Sequence, residues 1–283
     1  MMWLAGTSGY SYKQWKGPFY PENIKNDEML SFYASRLPAV EINNTFYRMP
    51  RTNVLENWSE SVPADFRFVI KASRRITHHA RLKGAEESIN YLATRVAVLE
   101  DKLGAVLFQL PPFLRKDIDR LKAFLDVWPK ALPAAIEFRN DSWFDEETFD
   151  VLRAHAVAIG VSEDSDLPCP PEIATTDWLY LRLRKPGYTS QNLAGWIKKA
   201  LATDATKTLA FFKHEDDGAG PELASRFLHL AQAPQPVRAP RRTPKRKRLS
   251  KAQIKRLSKA QIKRLSKAQI KRPSKTRNSS HLA

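Results

Sequence analysis

Eight short apolar runs divide this chain, and most of them finish on a polar or charged residue where a buried strand would ordinarily carry another aliphatic. They are residues 4–8 (LAGTS), 39–43 (AVEIN), 66–71 (FRFVIK), 105–110 (AVLFQL), 134–139 (AAIEFR), 157–164 (VAIGVSED), 178–184 (WLYLRLR) and 209–214 (LAFFKH). A buried charge without a partner costs several kcal/mol. Glu41, Lys71, Gln109, Glu137, Arg139, Asp164, Arg182 and Lys213 therefore do not serve strand stability. In parallel barrels, strand carboxyl ends are where the chemistry is kept.

Between the runs lie segments with helical start and stop signals, at 27–36, 52–61, 86–102, 117–128, 145–154, 191–201 and 221–231. Several end just before Pro or Gly, and two open on Asp117 and Asp145, residues suited to capping a helix N-terminus. Only the sixth run is followed by an irregular Pro-rich loop, residues 165–177. Strand and helix alternate about eight times over roughly 230 residues, which predicts an α/β fold of the (β/α)8 TIM-like barrel type. An open dinucleotide-binding sheet is disfavoured, because Gly6-Thr-Ser-Gly9 lacks the required glycine spacing.

Side-chain parity points the same way. Ala39, Glu41 and Asn43 share one strand face, with Val40 and Ile42 on the other. Ala135, Glu137 and Arg139 repeat the pattern, as do Ala105, Leu107 and Gln109. The face that begins small and ends polar is expected to line the barrel and emerge at its carboxyl end.

Charge is unevenly spread. Of 47 Lys and Arg, 18 fall within residues 237–283, which hold no acid, so the preceding 236 residues carry 29 bases against all 30 acids. The octad LSKAQIKR repeats identically at 249–256, 257–264 and 265–272. It advances about 80° per copy around a helix, so its leucines form no stripe. We expect two parts: a barrel domain at 1–235, and a disordered basic tail at 236–283 that binds DNA or RNA. A tolerated product of repeat slippage is the rival reading of the tail. The single Cys169 excludes an internal disulfide, and no run approaches the ~18 apolar residues of a membrane span, so a cytoplasmic protein is expected.

Longer motifs carry a resemblance. Gly6-Thr-Ser-Gly9 with Trp15 and Pro21, Glu41-Ile-Asn-Asn-Thr-Phe-Tyr47, Lys71 with Ile76-Thr-His78, Leu107-Phe-Gln-Leu-Pro-Pro112, Glu137-Phe-Arg139 with Ser142-Trp143, and Phe212-Lys-His214 resemble the YecE-like family of barrel proteins, a domain of unknown function. The resemblance covers about residues 2–232 and implies a TIM-like barrel; it implies no reaction. One departure is at the seventh strand, where Arg182 is followed by Leu183-Arg184 instead of the family's His-Gly.

For chemistry, Lys71, Arg139, Arg182 and Lys213 are candidates to clamp a phosphate or carboxylate. Glu137 and Glu41 are candidate acid/base residues. Asn43, Tyr47, His78, Gln109, Trp143, Asp164 and His214 are further candidate substrate contacts. Tyr12, Trp15 and Phe46 join Tyr47 and Trp143 as rings that follow strand ends, able to stack on a base or sugar. Two other readings stay open: a non-catalytic nucleic-acid-binding or scaffold protein, and a glycosidase-like hydrolase using Glu41 and Glu137. No motif names a cofactor or a metal. The charges could also pair into a network that merely fixes the barrel.

Overall fold

The structure, a computed structural model, describes residues 1–164, 166–171, 173–213 and 217–233. His214 and the basic tail at 236–283 with its octads lie outside the described residues.

Eight parallel strands close into a barrel in sequence order. They are β1 (Met2–Ser8), β2 (Ala39–Ile42), β3 (Arg67–Lys71), β4 (Leu103–Gln109), β5 (Ala134–Glu137), β6 (Ala158–Glu163), β7 (Trp178–Leu183) and β8 (Lys207–Phe212). Helices follow most of them: α1 (Met29–Ala34), α2 (Thr52–Glu60), α3 (Glu86–Val96), α4 (Ile118–Val127), α5 (Glu146–Ala154), α6 (Ser190–Ala202) and α7 (Ala219–Gln232). No helix joins β6 to β7 among the described residues. The connection there is tied down by Thr175, whose Oγ1 accepts from Ile159 N at 2.9 Å and donates to Val157 O at 2.7 Å.

Local signals set the helix starts. Asp117 and Asp145 each accept a backbone N–H three residues on, at 3.0 Å, and Thr189 forms a capping box with Asn192 before α6. The expected single helix at 86–102 is instead broken. α3 ends at Val96, and a tighter 3-10 turn continues over Ala97–Lys102 with Glu100 at φ 47°. Lys102 Nζ anchors that turn by donating to Ser59 O and Val62 O.

The barrel interior obeys the parity argument. Its packed cluster contains Leu4, Ala39, Val69, Ala105, Leu107, Ala135, Ala158, Trp178, Tyr180, Leu209 and Phe211. The bulky rings sit on β7 and β8, and alanines on β2, β4, β5 and β6 leave room for them. Val40, Ile42, Val106, Phe108, Ile136 and Phe138 point outward into the larger core against the helices. One close approach depends on glycine: a Cβ at Gly6 would lie 1.7 Å from Ala39 O. Tyr33 Oη of α1 lies in the same gap, accepting from Thr7 N at 2.8 Å and donating to Ala39 O at 3.0 Å.

Candidate functional site

Inward-facing strand positions turn polar one layer above the rings. At the centre lies Arg182 of β7, with its side chain 2% exposed. Its Nε and Nη2 donate to Glu41 Oε2 and Oε1 of β2, both at 2.8 Å, in a bidentate pair. Its Nη1 donates to Glu137 Oε2 of β5. One guanidinium thus ties together two fully buried carboxylates from opposite parts of the barrel.

Their remaining lone pairs are also used. Glu41 accepts from Tyr180 Oη at 2.6 Å, Ser8 Oγ at 2.8 Å and Asn43 Nδ2 at 3.0 Å. Glu137 accepts from Arg139 Nε at 2.8 Å and from Gln109 Nε2 at 3.1 Å. Room for the Glu137 stem comes from Gly160, where a Cβ would meet Glu137 Cβ at 3.2 Å. Burial opposes charge on both carboxylates, but Arg182 outweighs it and holds Glu41 well below the ordinary carboxylate range and Glu137 at about 2. Carboxylates held in this way are poor proton donors near neutrality. A glycosidase-like pair requires one protonated member. In this geometry Glu41 and Glu137 hold Arg182, and as ionised groups they are poorly suited to the proton-donor half of the acid/base role expected from sequence.

Around this network the cations outnumber the described carboxylates by one. Lys71, at the end of β3, has its Nζ 4.4 Å from the centre of the Phe46 ring and no ion pair with a described carboxylate. Burial and the nearby Arg182 lower its pKa to about 8. Arg184, one residue beyond β7 and of the same parity as Arg182, has its Nε 3.5 Å from Asp164 Oδ2. Its Nε has no hydrogen-bond partner, and neither do Ser162 Oγ and Asn43 Oδ1, all three buried atoms on these strand ends. Lys71, Arg139, Arg182 and Arg184 face Glu41, Glu137 and Asp164: four cations against three carboxylates. His78 borders this set. It is held by a 2.9 Å contact between its Nδ1 and Thr77 Oγ1, and burial, Lys71 and Arg139 lower its pKa. Tyr12 donates to Ser8 O at 2.7 Å, and burial with the Glu41 charge raises its pKa to about 12.

Other sequence candidates fall elsewhere. Trp143 is wholly buried, stacks on the outward-facing Phe138, and donates Nε1 to Leu114 O at 2.8 Å, so it packs a connection and does not face the mouth. Trp15 is equally buried among Tyr12, Phe19 and Tyr20. Tyr47 is 71% exposed and lies edge-on to Phe46, the ring under Lys71. Lys213 follows β8 at an exposed position. Sequence reasoning missed Arg184, Ser162, Ser8 and Tyr180. The first two were legible, since Arg184 lies two residues beyond Arg182 and Ser162 two before Asp164, on the same strand faces. Among the described residues, no group of three or more His, Cys, Asp or Glu is placed to hold a metal, and no helix is long and apolar enough to cross a membrane.

Known proteins resemble this chain in sequence and fold. Residues 4–248 match the model of "Protein of unknown function DUF72". The chain is 28% identical over 196 residues to the UPF0759 protein YunF of Bacillus subtilis, covering 63% of this chain and 68% of that one. It is 32% identical over 116 residues to the UPF0759 protein YecE of Escherichia coli strain K12, covering 41% and 43%. A DUF72 family protein from Thermotoga maritima superposes with a TM-score of 0.71 at 25% identity, covering 81% of this chain and 99% of that chain. One from Enterococcus faecalis has the same fold, at 0.69 and 21%, with 83% and 97% covered.

Proposed function

We propose, from the premise that the chain belongs to the DUF72 family of unknown function, that the carboxyl mouth of its barrel binds a phosphate- or carboxylate-bearing substrate. The carrying observation is the surplus of positive charge around the buried Arg182 network, with Lys71 unpaired with any described carboxylate. Arg139 and Arg184 are each about one-fifth exposed, at 22% and 20%, so their guanidiniums are within reach of a ligand while anchored from below. Ser162 Oγ and Asn43 Oδ1 are polar atoms without a hydrogen bond within the protein, and Arg184 Nε has only a 3.5 Å ion-pair contact with Asp164 Oδ2. Lys71, with its pKa lowered to about 8, is the group there whose proton is most mobile near neutrality. Any proton transfer at this site falls to it in this reading.

Calorimetric titration with inorganic phosphate and with succinate tests the reading. Arg184→Ala and Arg139→Ala should each weaken binding of the preferred anion by roughly tenfold or more, as expected for lost charge-assisted hydrogen bonds. Unchanged affinity in both variants would remove the mouth as the binding site.

The tail carries a second reading. With 18 cations and no acid in residues 237–283, we propose that it grips DNA or RNA through phosphates, with an affinity that falls steeply as salt rises.

A further inference from the structure

A second cationic feature lies outside the mouth. A groove of about 590 Å³ runs between the residues after β2 and helix α3, and its lining includes Tyr47, Arg48, Arg51, Arg75, Tyr91 and Arg95. Glu87 is the one carboxylate among its described lining. Arg48, Arg51 and Arg75 are exposed and form no ion pair with a described residue. Near-neutrality of the first 236 residues therefore conceals a local concentration of positive charge.

The aromatic rings are arranged with it. Three aromatic side chains are strongly exposed among the described residues: Tyr47 at 71%, Tyr91 at 51% and Phe113 at 61%. Each has an arginine over its face: Arg74 on Tyr47 at 5.6 Å, Arg95 on Tyr91 at 5.1 Å and Arg81 on Phe113 at 5.2 Å. Arg74, Arg75 and Arg81 all belong to the β3–α3 connection, which opens with a π-type turn over Arg75–His79 and passes through two positive-φ residues, Arg81 (52°) and Leu82 (69°). Non-glycine residues in that region are costly and persist where the surroundings impose them. Here they bring Arg81 to a ring of the next connection.

We infer that this groove, with its rings Tyr47 and Tyr91, binds single-stranded nucleic acid. Unpaired arginines suit a phosphate backbone, and exposed ring faces suit unstacked bases. A duplex hides its base faces, an acidic peptide has no use for the rings, and a neutral glycan has no use for four arginines. An arginine on one face of each ring fixes the plane and leaves the other side for a base. The groove meets the mouth along one wall, where Phe46, which carries Lys71, lies edge-on to Tyr47 at 5.1 Å. The inference stands whether or not the mouth binds its own anion.

The test uses the full chain and a single-stranded oligothymidylate containing 4-thiothymidine, with adducts mapped by mass spectrometry after irradiation. Adducts at Tyr47 or Tyr91 are expected, and a duplex of the same sequence should lose them. Arg48→Ala/Arg51→Ala/Arg75→Ala, checked for an unchanged melting temperature, should abolish them and reduce the log–log salt slope by about 2, at ~0.7 per phosphate contact. Tyr47→Ala should weaken binding roughly tenfold while Tyr47→Phe retains it, because stacking needs the ring and not the hydroxyl. Adducts confined to residues 237–283, with a salt slope unaffected by the triple substitution, would overturn the inference and leave binding to the tail.

Discussion

The Arg182 side chain is only 2% exposed and compensates two carboxylates that are themselves fully buried. Breaking such a group by removing one member typically costs about 3–5 kcal/mol, because the survivors remain charged away from water. Arg182→Met keeps most of the apolar stem and should lower unfolding free energy by about that amount at pH 7, read from urea denaturation. The pH profile gives a second reading. Glu41 and Glu137 have folded pKa values below the ordinary 4.5, Glu137 near 2. Their contribution is present above about pH 4.5, and it should fade as pH drops toward about 2, since the unfolded chain binds the extra protons. Sequence alone showed that these residues stood at strand ends on one face. It could not show that Glu41 and Glu137 converge on the same guanidinium, because their meeting depends on closure of the barrel and not on local spacing. For the same reason residue type alone does not tell an acid from a carboxylate that the fold keeps ionised.

Among the elements, β1 and β2 depend on a contact no larger side chain permits. Gly6 lies against Ala39 O, and Tyr33 Oη bridges Thr7 N and Ala39 O in the same space. Gly6→Ala should therefore prevent normal closure between these strands, costing several kcal/mol, with loss of soluble folded protein or of cooperative melting as the readout. Tyr33→Phe removes only the bridge and should cost about 1–3 kcal/mol, the penalty for leaving a buried backbone group unpaired. Strands were legible because their alternation is written in residue types: Ala39, Glu41 and Asn43 inward, Val40 and Ile42 outward. Helix starts at Asp117 and Asp145 were legible through their caps. The break after Val96 was not, since Ile89, Leu92, Val96 and Leu99 keep helical spacing while the chain is already turning toward β4. Trp143 was misplaced because its position after β5 says nothing about the direction of its ring.

For the whole molecule, charge is organised by layer. Uncharged rings and alanines fill the barrel, a neutralised Arg–Glu network covers them, and a partly exposed set of cations lies above. Lys71 is the member of that set whose charge can be switched near neutrality. Arg182, Arg139, Glu41, Glu137 and the imidazole of His78 surround it, and its pKa lies at about 8. The most direct test of the anion-site account is sulfate affinity measured by calorimetry from pH 7 to 9.5, in the native chain and in Lys71→Met. Sulfate keeps its charge across this range, so any change reports the protein. The account predicts saturable binding at pH 7 that weakens as pH rises through about 8, and weaker, nearly pH-independent binding in Lys71→Met. An identical affinity and pH profile in the two proteins, or no saturable binding in the native chain, would contradict it.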